Sequence, residues 1–101
     1  MPDTVIHNKS QYLLTKVAEE ATEIAKAVTK SLTFGIDNYN PMTPKRTNAD
    51  DIMMEFYHLD AMIEMLQKEG ILPILTKEEE IKIKKEKKYK VNSYMKEYEV
   101  E

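Results

Sequence analysis

Two short stretches of this sequence hold the residue types that bind metal ions and phosphates: Glu19-Glu20-Ala21-Thr22-Glu23 and Glu55-Phe56-Tyr57-His58. Carboxylates gathered in one place repel one another, and burial makes each charge more costly. A divalent cation removes that penalty. Oxygen-only sites suit Mg2+ or Mn2+, and Mg2+ commonly bridges a few carboxylates to substrate phosphates. A histidine nitrogen in the set shifts preference toward Mn2+, Fe2+ or Zn2+.

Helix geometry decides whether these residues can meet. Measured from Val17, with about 100° per residue, Glu20 lies about 60° to one side and Glu23 about 120° to the same side. Measured from Ile52, Glu55 and His58 fall at the same two angles, about 60° and 120°. Antiparallel packing of the two helices predicts that both polar pairs converge on one site. Glu19, at about 160°, lies nearer solvent and suits a supporting role or a second ion. Asp60 falls about 80° onto the opposite flank and stands apart. The ordinary reading of the same acids is a solvated face, with Lys16–Glu20 and Glu23–Lys26 as surface pairs and His58 as a structural residue. Matched placement on two helices is the argument for a site.

The elements that must position these groups are helical. A first segment runs from about Ser10 to Phe34, with Leu13, Val17, Ile24 and Val28 on one stripe flanked by Leu14, Ala18, Ala21 and Ala25. Gly35 suits the left-handed position past its end. Residues 35–47 hold two prolines, two asparagines and an aspartate, so they form a loop, long enough to suggest a functional role. A second helix runs from about Ala49 to Glu69, with Asn48 as its cap and Asp51 completing a capping-box-like pair. Ile52, Phe56, Leu59, Ile63 and Leu66 form its stripe, and Gly70 ends it. A third helix begins at Thr76, with Glu79 at the capping-box position, and continues to Tyr94 or Tyr98. Ile81-Lys82-Ile83-Lys84 alternates like a strand, but Glu and Lys dominate and no partner strand is visible, so helix is preferred.

The expected architecture is therefore all-α: about three helices per chain, forming a bundle completed by oligomerisation. The 101 residues make one domain, with 1–9 as an N-terminal arm and 76–101 as a lysine-rich C-terminal helix. So small a domain hides little of its surface unaided, so a homodimer or homotetramer is expected. The absence of cysteine excludes disulfides, thiolate metal sites and cysteine nucleophiles. Neither a signal peptide nor a membrane span is visible, and a cytoplasmic location is expected. A net charge of −3 gives no general attraction to nucleic acid. His7 in the arm carries no argument.

With these residues in view, the chain resembles the MazG-like branch of the all-α nucleoside-triphosphate pyrophosphohydrolases. That branch is marked by Glu-Glu-x-x-Glu on one helix and Glu-x-x-Asp on a later one. Glu19-Glu20-x-x-Glu23 is intact here, and KSLTFGIDNYNP, TNADD and EFYHLDAMIEMLQKEGIL resemble small members common in bacteriophages. The resemblance covers roughly residues 12–75. It implies Mg2+-dependent cleavage between the α- and β-phosphates of a nucleoside triphosphate, in the host cytoplasm if the chain is phage-encoded. It also implies oligomeric helical bundles. By resemblance, Glu20, Glu23 and Glu55 are metal ligands, and His58, which falls where the family places an aspartate, is a substituted fourth ligand. Glu19, Glu20 and Glu23 supply the catalytic carboxylates, a free one such as Glu19 or Glu23 orienting the attacking water. Lys30, Lys45 and Arg46 are candidate phosphate groups, and the tail adds Lys85 and Lys88 within its lysine run.

Rival readings follow from particular residues. His58 in place of a carboxylate favours a nucleotide-sequestering protein with a weakened metal site. Glu55-x-x-His58 is also the spacing of ferritin-like di-iron bundles. Met53, Met54, Met62 and Met65 suit an adaptable partner surface, though core or oligomer contacts are their commoner use.

Overall fold

The computed structural model describes residues 8–101, so most of the N-terminal arm, with His7, lies outside the described residues. The chain is all-helical, as its periodicity predicts: α1 (Lys9–Phe34), α2 (Asn48–Lys68) and α3 (Lys77–Glu97). Each start is explained by a side chain that takes up a free helical N–H. Asn8 accepts from the Gln11 N–H at 2.8 Å, opening α1. Thr76 and Glu79 form the anticipated capping box of α3.

At α2 the cap lies one residue earlier than the sequence suggested. Thr47, not Asn48, is the cap, and Asp50, not Asp51, completes the box. Asn48 is occupied elsewhere: it is buried and donates its side-chain amide to the Gly35 carbonyl at 2.8 Å. Asp51 binds Arg46 instead. Gly35 (φ +102°) turns the chain out of α1, and its N–H donates to Ser31 O at 2.8 Å. Gly70 (φ +76°) does the same after α2, donating to Gln67 O. A side chain at either position would be strained, since positive φ suits glycine.

α1 and α2 pack antiparallel. Asn48 and Gly35 join one end of the hairpin, and Lys9 meets Glu69 at 3.2 Å at the other. The seam alternates steps of three and four residues, the spacing of a coiled-coil-like interface. On α1 it runs through Ser10, Leu13, Val17, Glu20, Ile24, Ala27 and Ser31, all buried or half-buried. On α2 it runs through Asn48, Ile52, Glu55, Leu59, Met62 and Leu66. Val17 and Ile24 belong to this seam as anticipated, but Leu14, Ala18, Ala21, Ala25 and Val28 remain exposed. Only Leu13 and Leu66 are fully buried hydrophobics among the described residues.

α3 rests on neither α1 nor α2. Its apolar side chains, Ile81, Ile83, Tyr89, Val91, Tyr94, Met95 and Tyr98, are all exposed. The radius of gyration is accordingly 17.5 Å, against about 13 Å for a compact domain of this length. The accessible surface is 8491 Å², whereas a compact monomer of this mass exposes about 5,900 Å². No helix among the described residues is long and apolar enough to cross a membrane.

Candidate metal centre and adjoining cavities

Glu20 and Glu55 sit in the seam itself rather than on its flank. The antiparallel crossing brings them together, and His58, one turn beyond Glu55, joins them at the edge. His58 Nδ1 lies 3.3 Å from Glu55 Oε1 and 3.8 Å from Glu20 Oε2. One ligand atom from each of the three lies within 4.8 Å of the others. Donors at about 2.1 Å from one ion stand at most about 4.2 Å apart, so small side-chain rotations close the set on a cation. The carboxylates are mostly shielded, at 24% exposure for Glu20 and 15% for Glu55, while His58 is half exposed. The donor set fits a divalent ion with oxygen and nitrogen ligands.

The other anticipated site residues divide into two groups. Glu23 stands outside the triad but lines, with Glu55, a cavity of about 180 Å³. Lys26, Lys30, Arg46, Asp51 and Met54 complete its walls. Arg46 is held there by Asp51, whose Oδ1 accepts from Nε at 3.0 Å and Nη2 at 2.6 Å. Lys26 and Asp51 were not singled out in the sequence as site residues; the spacing Lys26–Lys30, one helical turn along the face of Glu23, was the available signal.

Glu19 points to solvent and pairs with Lys16 at 2.9 Å. Lys16 thus bonds Glu19 rather than Glu20, and that carboxylate holds its ammonium pKa above the ordinary lysine range. Lys45 is exposed and lines only a shallow surface depression with Thr43, Pro44 and Arg46. Lys85 and Lys88 lie on α3, which does not approach α1 or α2 within the chain.

The loop 35–47 is built rather than loose. The Asn38 side-chain amide donates to Phe34 O at 3.1 Å, and its Oδ1 accepts from the Tyr39 N–H at 2.9 Å. Asn40 Oδ1 accepts from the Met42 N–H at 2.9 Å. An isolated antiparallel bridge joins Tyr39 to Thr47, and Ala49 N–H donates to Ile36 O at 2.9 Å. These bonds shape a second cavity, of about 290 Å³, lined by Lys30, Phe34, Asn38, Tyr39, Asn40, Pro41 and Asn48.

No family model matches the chain, and neither a curated protein nor a solved structure matches it.

Proposed function

We propose that this chain is a metal-dependent nucleoside-triphosphate pyrophosphohydrolase, converting a nucleoside triphosphate to the monophosphate and pyrophosphate. The observation that carries the reading is the meeting of Glu20, Glu55 and His58 across two helices, beside a cavity holding Lys26, Lys30 and Arg46. The resemblance of Glu19-Glu20-x-x-Glu23 and the following segments to MazG-like proteins supports it. A divalent cation held by Glu20, Glu55 and His58, Mn2+ or Mg2+, would neutralise phosphate oxygens and make bound water more acidic. Lys26, Lys30 and Arg46 would hold the phosphates in the adjoining cavity and stabilise charge on the departing pyrophosphate. Glu23, exposed at that cavity, would orient water and accept its proton. Water oxygen bonds to the α-phosphorus, the bond from that phosphorus to the bridging oxygen breaks, and pyrophosphate leaves. A cytoplasmic location follows from such a substrate.

His58 favours a second reading, in which the same site binds nucleotides without cleaving them. Nitrogen is accepted poorly by Mg2+ and better by Mn2+. The test is a nucleotide panel with each metal, measuring binding and pyrophosphate release separately. Glu20→Gln and Glu55→Gln should each lower metal affinity at least about 10-fold, the scale on which weaker outer contacts already act. Neither should destabilise the metal-free fold, since each removes one of two repelling charges. Metal binding unchanged in both variants would remove the site. Nucleotide bound without pyrophosphate release under either metal would select the sequestering reading, and His58→Asp should then restore release with Mg2+.

A further inference from the structure

The loop cavity shares Lys30 with the cationic cavity, so the two adjoin. Three chemistries succeed one another along the hairpin: carboxylates with an imidazole, then cations, then aromatic rings with amides. Asn48, in the loop cavity, and Glu55, in the triad, are two helical turns apart, roughly 10 Å along the axis. A pentose with its phosphate chain bridges a span of that order.

We infer that the loop cavity receives the nucleobase of the nucleotide, a reading that rests on the nucleotide function proposed above. At about 290 Å³ it lies at the small end of ligand pockets, which start near roughly 300 Å³, and so accommodates a ring system rather than a whole nucleotide. Phe34 and Tyr39 supply flat apolar surface, and both are about half exposed or more, open to a stacking partner. Stacking of that kind accepts any base, because every base has a π-face.

The amides divide the labour. Asn38 spends both ends of its side chain on the loop backbone, and Asn48 spends its nitrogen on Gly35. Asn40 differs. Its oxygen is engaged with Met42, but its side-chain nitrogen has no partner among the described residues. That N–H group is a fixed donor on the cavity wall, suited to a carbonyl oxygen or ring nitrogen on the base edge. Because the oxygen that fixes the amide is tied to the main chain, the donor cannot flip to present an acceptor without breaking that bond.

The experiment compares equilibrium binding of a nucleoside triphosphate and of inorganic tripolyphosphate to the full chain, both with Mn2+. The wild type should hold the nucleotide at least ~10-fold more tightly. Tyr39→Ala should lower nucleotide affinity roughly 5- to 150-fold, the scale of one base–aromatic stack, and leave tripolyphosphate unchanged. Asn40→Asp keeps the acceptor for Met42 and removes the donor, so it should lower the nucleotide-to-tripolyphosphate affinity ratio without unmaking the loop. Equal affinity of the wild type for both ligands overturns the inference and leaves the phosphate site standing. So does an equal loss for both ligands in Tyr39→Ala, which would mark Tyr39 as structural. Tyr39-dependent nucleotide binding without pyrophosphate release supports the base pocket while refuting the hydrolase. If neither ligand binds, both readings are overturned.

Discussion

The α1–α2 hairpin and the lysine- and glutamate-rich α3 are all helical but are held in opposite ways. The hairpin is fastened at both ends, by Asn48 on Gly35 and by Lys9 on Glu69, and along a seam of steps of three and four residues. α3 has a capping box, an Lys84–Glu80 pair at 3.4 Å and acidic residues in its first turn, yet it packs on neither α1 nor α2. Caps, ion pairs and propensity each contribute only tenths of a kcal/mol to about one, and in proteins most helical stability comes from tertiary packing. Local signals thus define where α3 begins and ends, whereas packing alone can give it a fixed place. The exposed face of α3 and the exposed Leu14, Leu32 and Phe56 of the hairpin are the apolar surface that the homo-oligomer expected from the sequence would cover.

The largest expected effect tests that difference directly. The full chain should sediment at micromolar concentration as a multiple of 11.8 kDa. Placing charges on α3 with Val91→Asp and Met95→Asp should drive it toward monomer. A wild type that is already monomeric would break the comparison, since α3 would then need no partner. A smaller but still large effect is expected inside the hairpin. Leu66 is completely buried, so Leu66→Ala should cost about 2–5 kcal/mol in denaturant unfolding. A loss well under that would show that the seam is looser than its geometry implies.

The smallest effect should appear at the caps. The Thr47 N–H and hydroxyl hold the Asp50 carboxyl below its ordinary pKa, and Thr76 does the same for Glu79. Both carboxyls are more acidic folded than unfolded. Their contribution is therefore present above the ordinary carboxyl pKa and fades as pH falls through the lowered folded values. Helix content in acid should fray first in α3, whose first turn is supported by neither α1 nor α2. Thr76→Ala should fray the first turn of α3 already at neutral pH and so remove its acid dependence, as amide exchange in the two helices would show.

Much of this fold was legible because helix signals are local. Gly35, Gly70 and the Thr76–Glu79 pair marked boundaries that the backbone respects. The cap of α2 was displaced by one residue because cap-type residues stand side by side at Thr47-Asn48 and acids at Asp50-Asp51. Only the demand of the loop carbonyl for the Asn48 amide decides between them, and that demand is tertiary. The convergence of Glu20 and Glu55 was readable from angles, but their place in the seam was not. Small and polar residues, Ser10, Ala27 and Ser31, carry α1 along that seam, and a hydrophobicity pattern does not mark them. Arg46, Lys30 and Glu23 were identifiable as charged residues near the loop or motif, while the cavity that unites them with Lys26 depends on how the loop folds back.

The acid–imidazole triad midway along the seam, the only place where it holds ionisable groups, also works as an alignment key. Two helices joined by a loop of this length can slide past each other by a turn with little loss of apolar contact. Such a slip would displace Glu20 from His58 by roughly 5.4 Å and set a shielded carboxylate against leucine, with neither water nor a partner charge to satisfy it. The register that assembles the candidate site is therefore the register in which the hairpin avoids that penalty. Substitutions that make the seam uniformly greasy, such as Glu20→Leu with Glu55→Leu, would be expected to tighten the pair while blurring its alignment.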